Sequence, residues 1–153
     1  MPHTLIIGYG NTLRGDDGVG PFVAELLDRD HVHDPDIAVI ACHQLTPELA
    51  PAIAGAERLI LIDAEASGPP GEICRRELLP ESAGSSTLTH HIAPGSLLDM
   101  AEMLYGRAPR TTLYTVRGGS LDPGEGLTPA VEAAVPILQA AVKEDLNSAS
   151  TTL

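Results

Sequence analysis

Leu5-Ile6-Ile7-Gly8-Tyr9-Gly10-Asn11-Thr12-Leu13-Arg14-Gly15-Asp16-Asp17-Gly18-Val19-Gly20-Pro21-Phe22-Val23-Ala24-Glu25-Leu26-Leu27 is the stretch whose reading decides the fold. The apolar run Leu5-Ile6-Ile7 ends in Gly8 and Gly10, as a buried parallel strand does where it enters a tight loop. Asn11 to Gly15 reads as loop, and beyond it Val19, Phe22, Val23, Leu26 and Leu27 recur at helical spacing. Asp16 and Asp17 therefore stand between the C-terminal edge of a strand and the start of a helix. Ligands bind along that edge in open α/β sheets. Aspartate is a favoured N-cap and negative charge suits a first helical turn, so one of the pair has a structural use as a cap, but two exceed what a cap needs. A dinucleotide fingerprint G-x-G-x-x-G fails twice, because Leu13 stands where the third glycine belongs and two acids would repel a pyrophosphate.

Working outward, Ile37-Ala38-Val39-Ile40-Ala41-Cys42 reads as a second strand. Thr46 as N-cap with Pro47 at the first helical position predicts a short helix to about Ala54. Arg58-Leu59-Ile60-Leu61-Ile62-Asp63-Ala64 is the strongest buried-strand signal, and strand-helix-strand alternation makes the sheet parallel. Asp63 then lies at the same sheet edge as Asp17. Gly68-Pro69-Pro70-Gly71 breaks the chain before a more polar strand, Glu72 to Leu78, placed at a sheet edge.

Residues 79–90 read as loop, ending at His90-His91. Pro94, Leu97, Leu98, Ala101, Met103 and Leu104 predict a helix to about Tyr105. Thr111 to Val116 is the last strand, and a glycine-rich loop over 118–126 leads to Thr128-Pro129. That pair opens a final helix with Val131, Val135, Leu138 and Val142 on one stripe; Pro136 inside it predicts a bend, and 147–153 read as a frayed polar tail. The sum is one domain over 1–153, an α/β fold: a three-layer αβα sandwich around a mostly parallel sheet of about five strands.

The chain has 153 residues, of which 43% are hydrophobic, enough for one sizeable core. Aromatic residues are 3%, so that core is built from Leu, Ile, Val and Ala. A net charge of −12 with nine Lys and Arg argues against nucleic acid as a partner, since a phosphate-tracking surface needs clustered cations. Cys42 and Cys74 lack the spacing of a zinc knuckle or redox pair and read as buried thiols. No signal peptide opens the sequence and no apolar stretch reaches the ~20 residues of a membrane span, so no membrane partner and a cytoplasmic location are expected.

Two edge carboxylates from different strands plus one imidazole form a donor set suited to borderline divalent ions such as zinc or nickel. No H-E-x-x-H helix or G-x-S-x-G elbow is present.

These residues resemble the hydrogenase maturation proteases, endopeptidases that trim the C-terminus of the large subunit of nickel-iron hydrogenases. The likeness rests on Gly8 to Gly20, on the strand ending in Asp63-Ala64, on the Thr89-His90 turn and on Gly126-Leu127-Thr128-Pro129-Ala130-Val131-Glu132. Together these span about residues 4–146. The resemblance implies a metal-contacting and catalytic trio of Asp17, Asp63 and His90. His90 is preferred to His91 because Ile92 and Pro94 then fall where the family's pattern has them. Some relatives carry Glu at the first position, which makes Asp17 a shorter arm. Where many relatives have an Asp-Gly-Gly turn, this chain has Cys42-His43-Gln44-Leu45-Thr46. His43 reads there as a hydrogen-bonding surface group, with an extra ligand or a proton-transfer group as its other reading.

The implied activity is removal of the C-terminal extension from the nickel-loaded large-subunit precursor. Nickel is then supplied by the substrate, another divalent ion such as zinc can occupy the same donors, and no organic cofactor is needed. Two rival readings stand beside it: a nickel-binding maturation chaperone without peptidase activity, and a metallohydrolase with a permanently bound ion.

Overall fold

The computed structural model describes residues 3–81, 92–124 and 126–151. Strand β1 (Thr4–Tyr9) is followed by a 3-10 turn (Gly15–Gly18) and helix α1 (Val19–Asp30). Strand β2 (Ile37–Cys42) leads through a 3-10 turn (Pro47–Leu49) into α2 (Ala50–Gly55) and β3 (Arg58–Glu65). Then come β4 (Ile73–Leu78), α3 (Pro94–Tyr105), β5 (Arg110–Arg117) and α4 (Pro129–Thr151). The five strands form one sheet in the order β2-β1-β3-β5-β4. All neighbouring pairs are parallel except β4 with β5, so the polar strand is an antiparallel edge. This is the α/β fold that the alternation of elements predicts.

Side chains of a strand alternate between faces, and that period sorts the core into two layers. Leu5 and Ile7 of β1 with Leu59 and Leu61 of β3 pack under α2 and α3, where Ile53, Leu97 and Leu98 meet them. Ile6, Ile60 and Ile62 face the other way, against Val19, Val23 and Leu27 of α1 and the Val131, Val135, Leu138 and Val142 stripe of α4. Helices thus cover both faces. From β1 the chain passes through α1 on one face to β2, then returns through α2 on the opposite face to β3 on the far side of β1. The strand order reverses there, and the crevice beyond the carboxyl ends of β1 and β3 is the topological switch point at which such sheets bind ligands.

Several expectations need correction. Neither Asp16 nor Asp17 caps α1: a 3-10 turn intervenes, Gly18 is the N-cap residue, and no side chain makes a cap hydrogen bond. Thr46 precedes its turn in extended conformation, also without a side-chain cap bond. β3 runs two residues past Asp63 because Asp63, Ala64 and Glu65 pair with Thr115, Val116 and Arg117. Phe22, Met103 and Leu104 follow the helical pattern yet are exposed. Cys42 and Cys74 are free and only half-buried. The expected polar tail is helical to Thr151. Its preceding turn is pinned, as Asp145 accepts from Arg75 Nε at 2.9 Å and its carbonyl accepts from Arg58 at 2.7 Å. Extending an anchored helix costs far less than starting one. Among the described residues no helix is long and apolar enough to cross a membrane.

Candidate active site

Three glycines explain why the end of β1 can meet α1 so closely. A Cβ on Gly8 would strike the carbonyl oxygen of Gly20, and a Cβ on Gly20 would lie 2.5 Å from the carbonyl oxygens of both Ile62 and Tyr9. The start of α1 therefore sits directly on the ends of β1 and β3. Gly10, at φ 149°, turns the chain where a side chain would overlap the backbone of Asp17. Asp17 is held in place when the Asn11 backbone N–H donates to its Oδ2 at 2.7 Å.

Tyr9 continues the Leu5 and Ile7 face of β1, and Asp63 continues the Leu59 and Leu61 face of β3, so both side chains reach the α2/α3 side of the sheet edge. Asp17 joins them. A cleft of about 280 Å³ opens between these three residues, His43 and Gln44 from the turn after β2, and Ile92 and Pro94 at the approach to α3.

Burial makes the charged form of Asp63 costly, and the negative charge of Asp17 adds to that cost. The Ala64 N–H donates to Asp63 Oδ1 at 2.7 Å and Tyr9 is its hydroxyl donor, but these do not offset the burial, and the carboxyl is pushed up to about 6. The Tyr9 hydroxyl is itself driven far above its ordinary value, first by burial and then by the Asp63 charge. It stays a proton-bearing donor at any working pH. Such a site holds one carboxyl raised to about 6 beside Asp17 and a fixed hydroxyl donor. It suits a cationic partner and proton transfer.

Asp16 does something else. It is wholly buried, and four donors surround its carboxylate: the N–H groups of Gly119 at 2.6 Å, Ser120 at 3.1 Å and Thr128 at 2.7 Å, and the Thr128 hydroxyl at 2.7 Å. Burial alone would raise its carboxyl, yet these hydrogen bonds prevail and hold it below the usual range. Asp16 thus ties the loop that carries Asp17 to the segment that opens α4.

Asp17 and Asp63 both line this cleft. His90 and His91 lie outside the described residues. Among the described residues no three His, Cys, Asp or Glu side chains are grouped to hold a metal ion. His43, though exposed, lines the cleft. The sequence reading missed Tyr9 and the clamp role of Asp16. Tyr9 was legible in the alternation Leu5, Ile7, Tyr9 beside Leu59, Leu61, Asp63; Asp16 carried no local signal for partners more than a hundred residues away.

No protein-family model matches the chain. It is 30% identical over 150 residues to the hydrogenase expression/formation protein HupD of Thiocapsa roseopersicina, spanning 90% of this chain and 68% of that protein. The chain belongs to the hydrogenase maturation proteases. A second member of that family, the hydrogenase 2 maturation protease of Escherichia coli (strain K12), is 29% identical over 135 residues, 86% of this chain and 82% of its own length. The crystal structure of a hydrogenase 2 maturation peptidase from a Thaumarchaeota archaeon superposes with a TM-score of 0.73 at 27% identity, covering 95% of this chain and 98% of that one. The likeness in fold thus extends over nearly the whole chain.

Proposed function

We propose that this chain removes the C-terminal extension of the nickel-loaded precursor of a nickel-iron hydrogenase large subunit, and that Asp17, Asp63 and His90 recognise the nickel the precursor carries. The observation that carries this reading is the convergence of Asp17 and Asp63 in one cleft at the switch point of the sheet. In the free protein the two carboxylates repel one another, which adds to the burial that raises Asp63. A divalent cation arriving with the substrate gives them a common positive partner and favours ionised Asp63. His90 is two residues before Ile92 and four before Pro94, both cleft residues.

Metal recognition is thereby coupled to catalysis. Once the loaded precursor has docked, the nickel polarises the scissile carbonyl or a carboxylate of the pair activates the water, and in either case the water oxygen bonds to the carbonyl carbon as the water gives up a proton. The same proton passes to the leaving nitrogen as the C–N bond breaks. Tyr9 steadies Asp63 throughout as a donor.

The test is incubation of the protein with nickel-loaded and nickel-free precursor, followed by intact mass measurement of the large subunit. Shortening of the loaded form alone is expected. Binding of the loaded precursor without cleavage would overturn the peptidase reading in favour of a chaperone. Stoichiometric zinc in the purified protein, with cleavage independent of nickel, would favour a permanently metallated hydrolase.

A further inference from the structure

The loop that carries Asp17 has a second side. While Asp17 faces the cleft, Gly15 and Gly18 of the same loop help line a groove of about 240 Å³ between the first turns of α1 and α4. Its apolar wall is Pro21, Phe22 and Leu127, and Glu25 and Glu132 also line it. Phe22 is the only phenylalanine in a chain with 3% aromatic residues, and it is 45% exposed beside this groove rather than in the core. Leu13, at the tip of the same loop, is 59% exposed. None of the described residues that line the groove carries a positive charge.

We propose that this groove is a docking site for a segment of the hydrogenase precursor that flanks the scissile bond, with an apolar side chain against Phe22 and Leu127 and a Lys or Arg between Glu25 and Glu132. The inference rests on the peptidase reading above. Two properties point to that occupant. Groove and cleft both draw on the loop over residues 12–18, Asp17 lining the cleft and Thr12, Gly15 and Gly18 lining the groove, so one extended segment of precursor can reach both. An apolar wall with two carboxylates and no cation selects a segment that is both apolar and basic, and the net charge of −12 reinforces its approach.

The experiment is steady-state cleavage of nickel-loaded precursor by wild type, Phe22→Ala and the double variant Glu25→Lys/Glu132→Lys, with melting temperatures recorded. A photo-crosslinking amino acid at position 22 is used in parallel. Both substitutions should raise KM by about fivefold or more while leaving kcat within twofold, the loss expected for one half-exposed aromatic or two charge contacts. The Lys variant should also lose the salt dependence of KM, and position 22 should crosslink to a basic, apolar segment of the precursor. Unchanged KM with correctly folded variants overturns the docking site and leaves the peptidase reading standing. Crosslinking to a second copy of this chain overturns it too. Wild type that crosslinks to the precursor without cutting it keeps the groove and removes the peptidase reading.

Discussion

Thr128 grips Asp16 twice, its backbone N–H donating to Oδ1 and its hydroxyl to Oδ2, each at 2.7 Å. The contact joins the first loop of the chain to the start of its last helix. It gives the adjacent acids opposite roles: Asp16 is a buried strut, while Asp17 lines an open cleft.

Asp16→Asn puts an amide group among donors that need an acceptor. It should destabilise the protein by about 2–3 kcal/mol, the cost of leaving buried N–H groups unpaired. Thr128→Ala removes one of the four bonds and should cost about 1 kcal/mol. Urea unfolding of the two variants checks the order, and equal midpoints with wild type would show that the clamp contributes nothing.

Asp17→Asn should leave the unfolding midpoint unchanged or slightly raised, because the amide oxygen can still accept from Asn11 N–H and the repulsion with Asp63 is relieved. Precursor cleavage by Asp17→Asn and by Asp63→Asn should fall by roughly a hundredfold or more, the scale of a lost proton-transfer or charge-stabilising group. Wild-type cleavage by both variants would refute the carboxylate pair as the working site.

The raised carboxyl of Asp63 sets a pH dependence of stability. Its ordinary value is 3.8 and its folded value is about 6, so between these the folded state binds more protons than the unfolded state. The full contribution is present below pH 3.8 and is lost as pH rises through 6, an effect on the order of 3 kcal/mol. Asp63→Asn should flatten the profile of melting temperature over that window and melt higher than wild type at pH 7, in buffers free of divalent ions. Parallel profiles for both proteins would contradict this assignment.

Gly20→Ala places a methyl group against the carbonyl oxygens of Ile62 and Tyr9, which belong to strand backbone and cannot yield. The helix must move instead. A loss of about 1–3 kcal/mol is expected. Cleavage should fall with it, since the start of α1 follows Asp17 by only two residues. A variant that folds as stably as wild type and cleaves normally would show that this close approach is dispensable.

The sequence by itself determined the elements and one short list of acids. Apolar runs such as Arg58 to Ala64 and helical stripes such as Val131 to Val142 are local periodicities, and burial on both faces of a parallel strand leaves them plain to read. That Asp17 and Asp63 stand at the carboxyl edge of the sheet was also legible, because each follows an apolar run that reads as a parallel strand. Only the tertiary structure decided that β3 lies beside β1 and so puts the crevice between them, that Tyr9 and His43 share it, and that Asp16 rather than Asp17 is the strut. The capping rules could not see this. They weigh neighbours within a few residues, whereas Asp16 is satisfied by donors 103 to 112 positions away, brought to it by a sheet whose order no local pattern encodes.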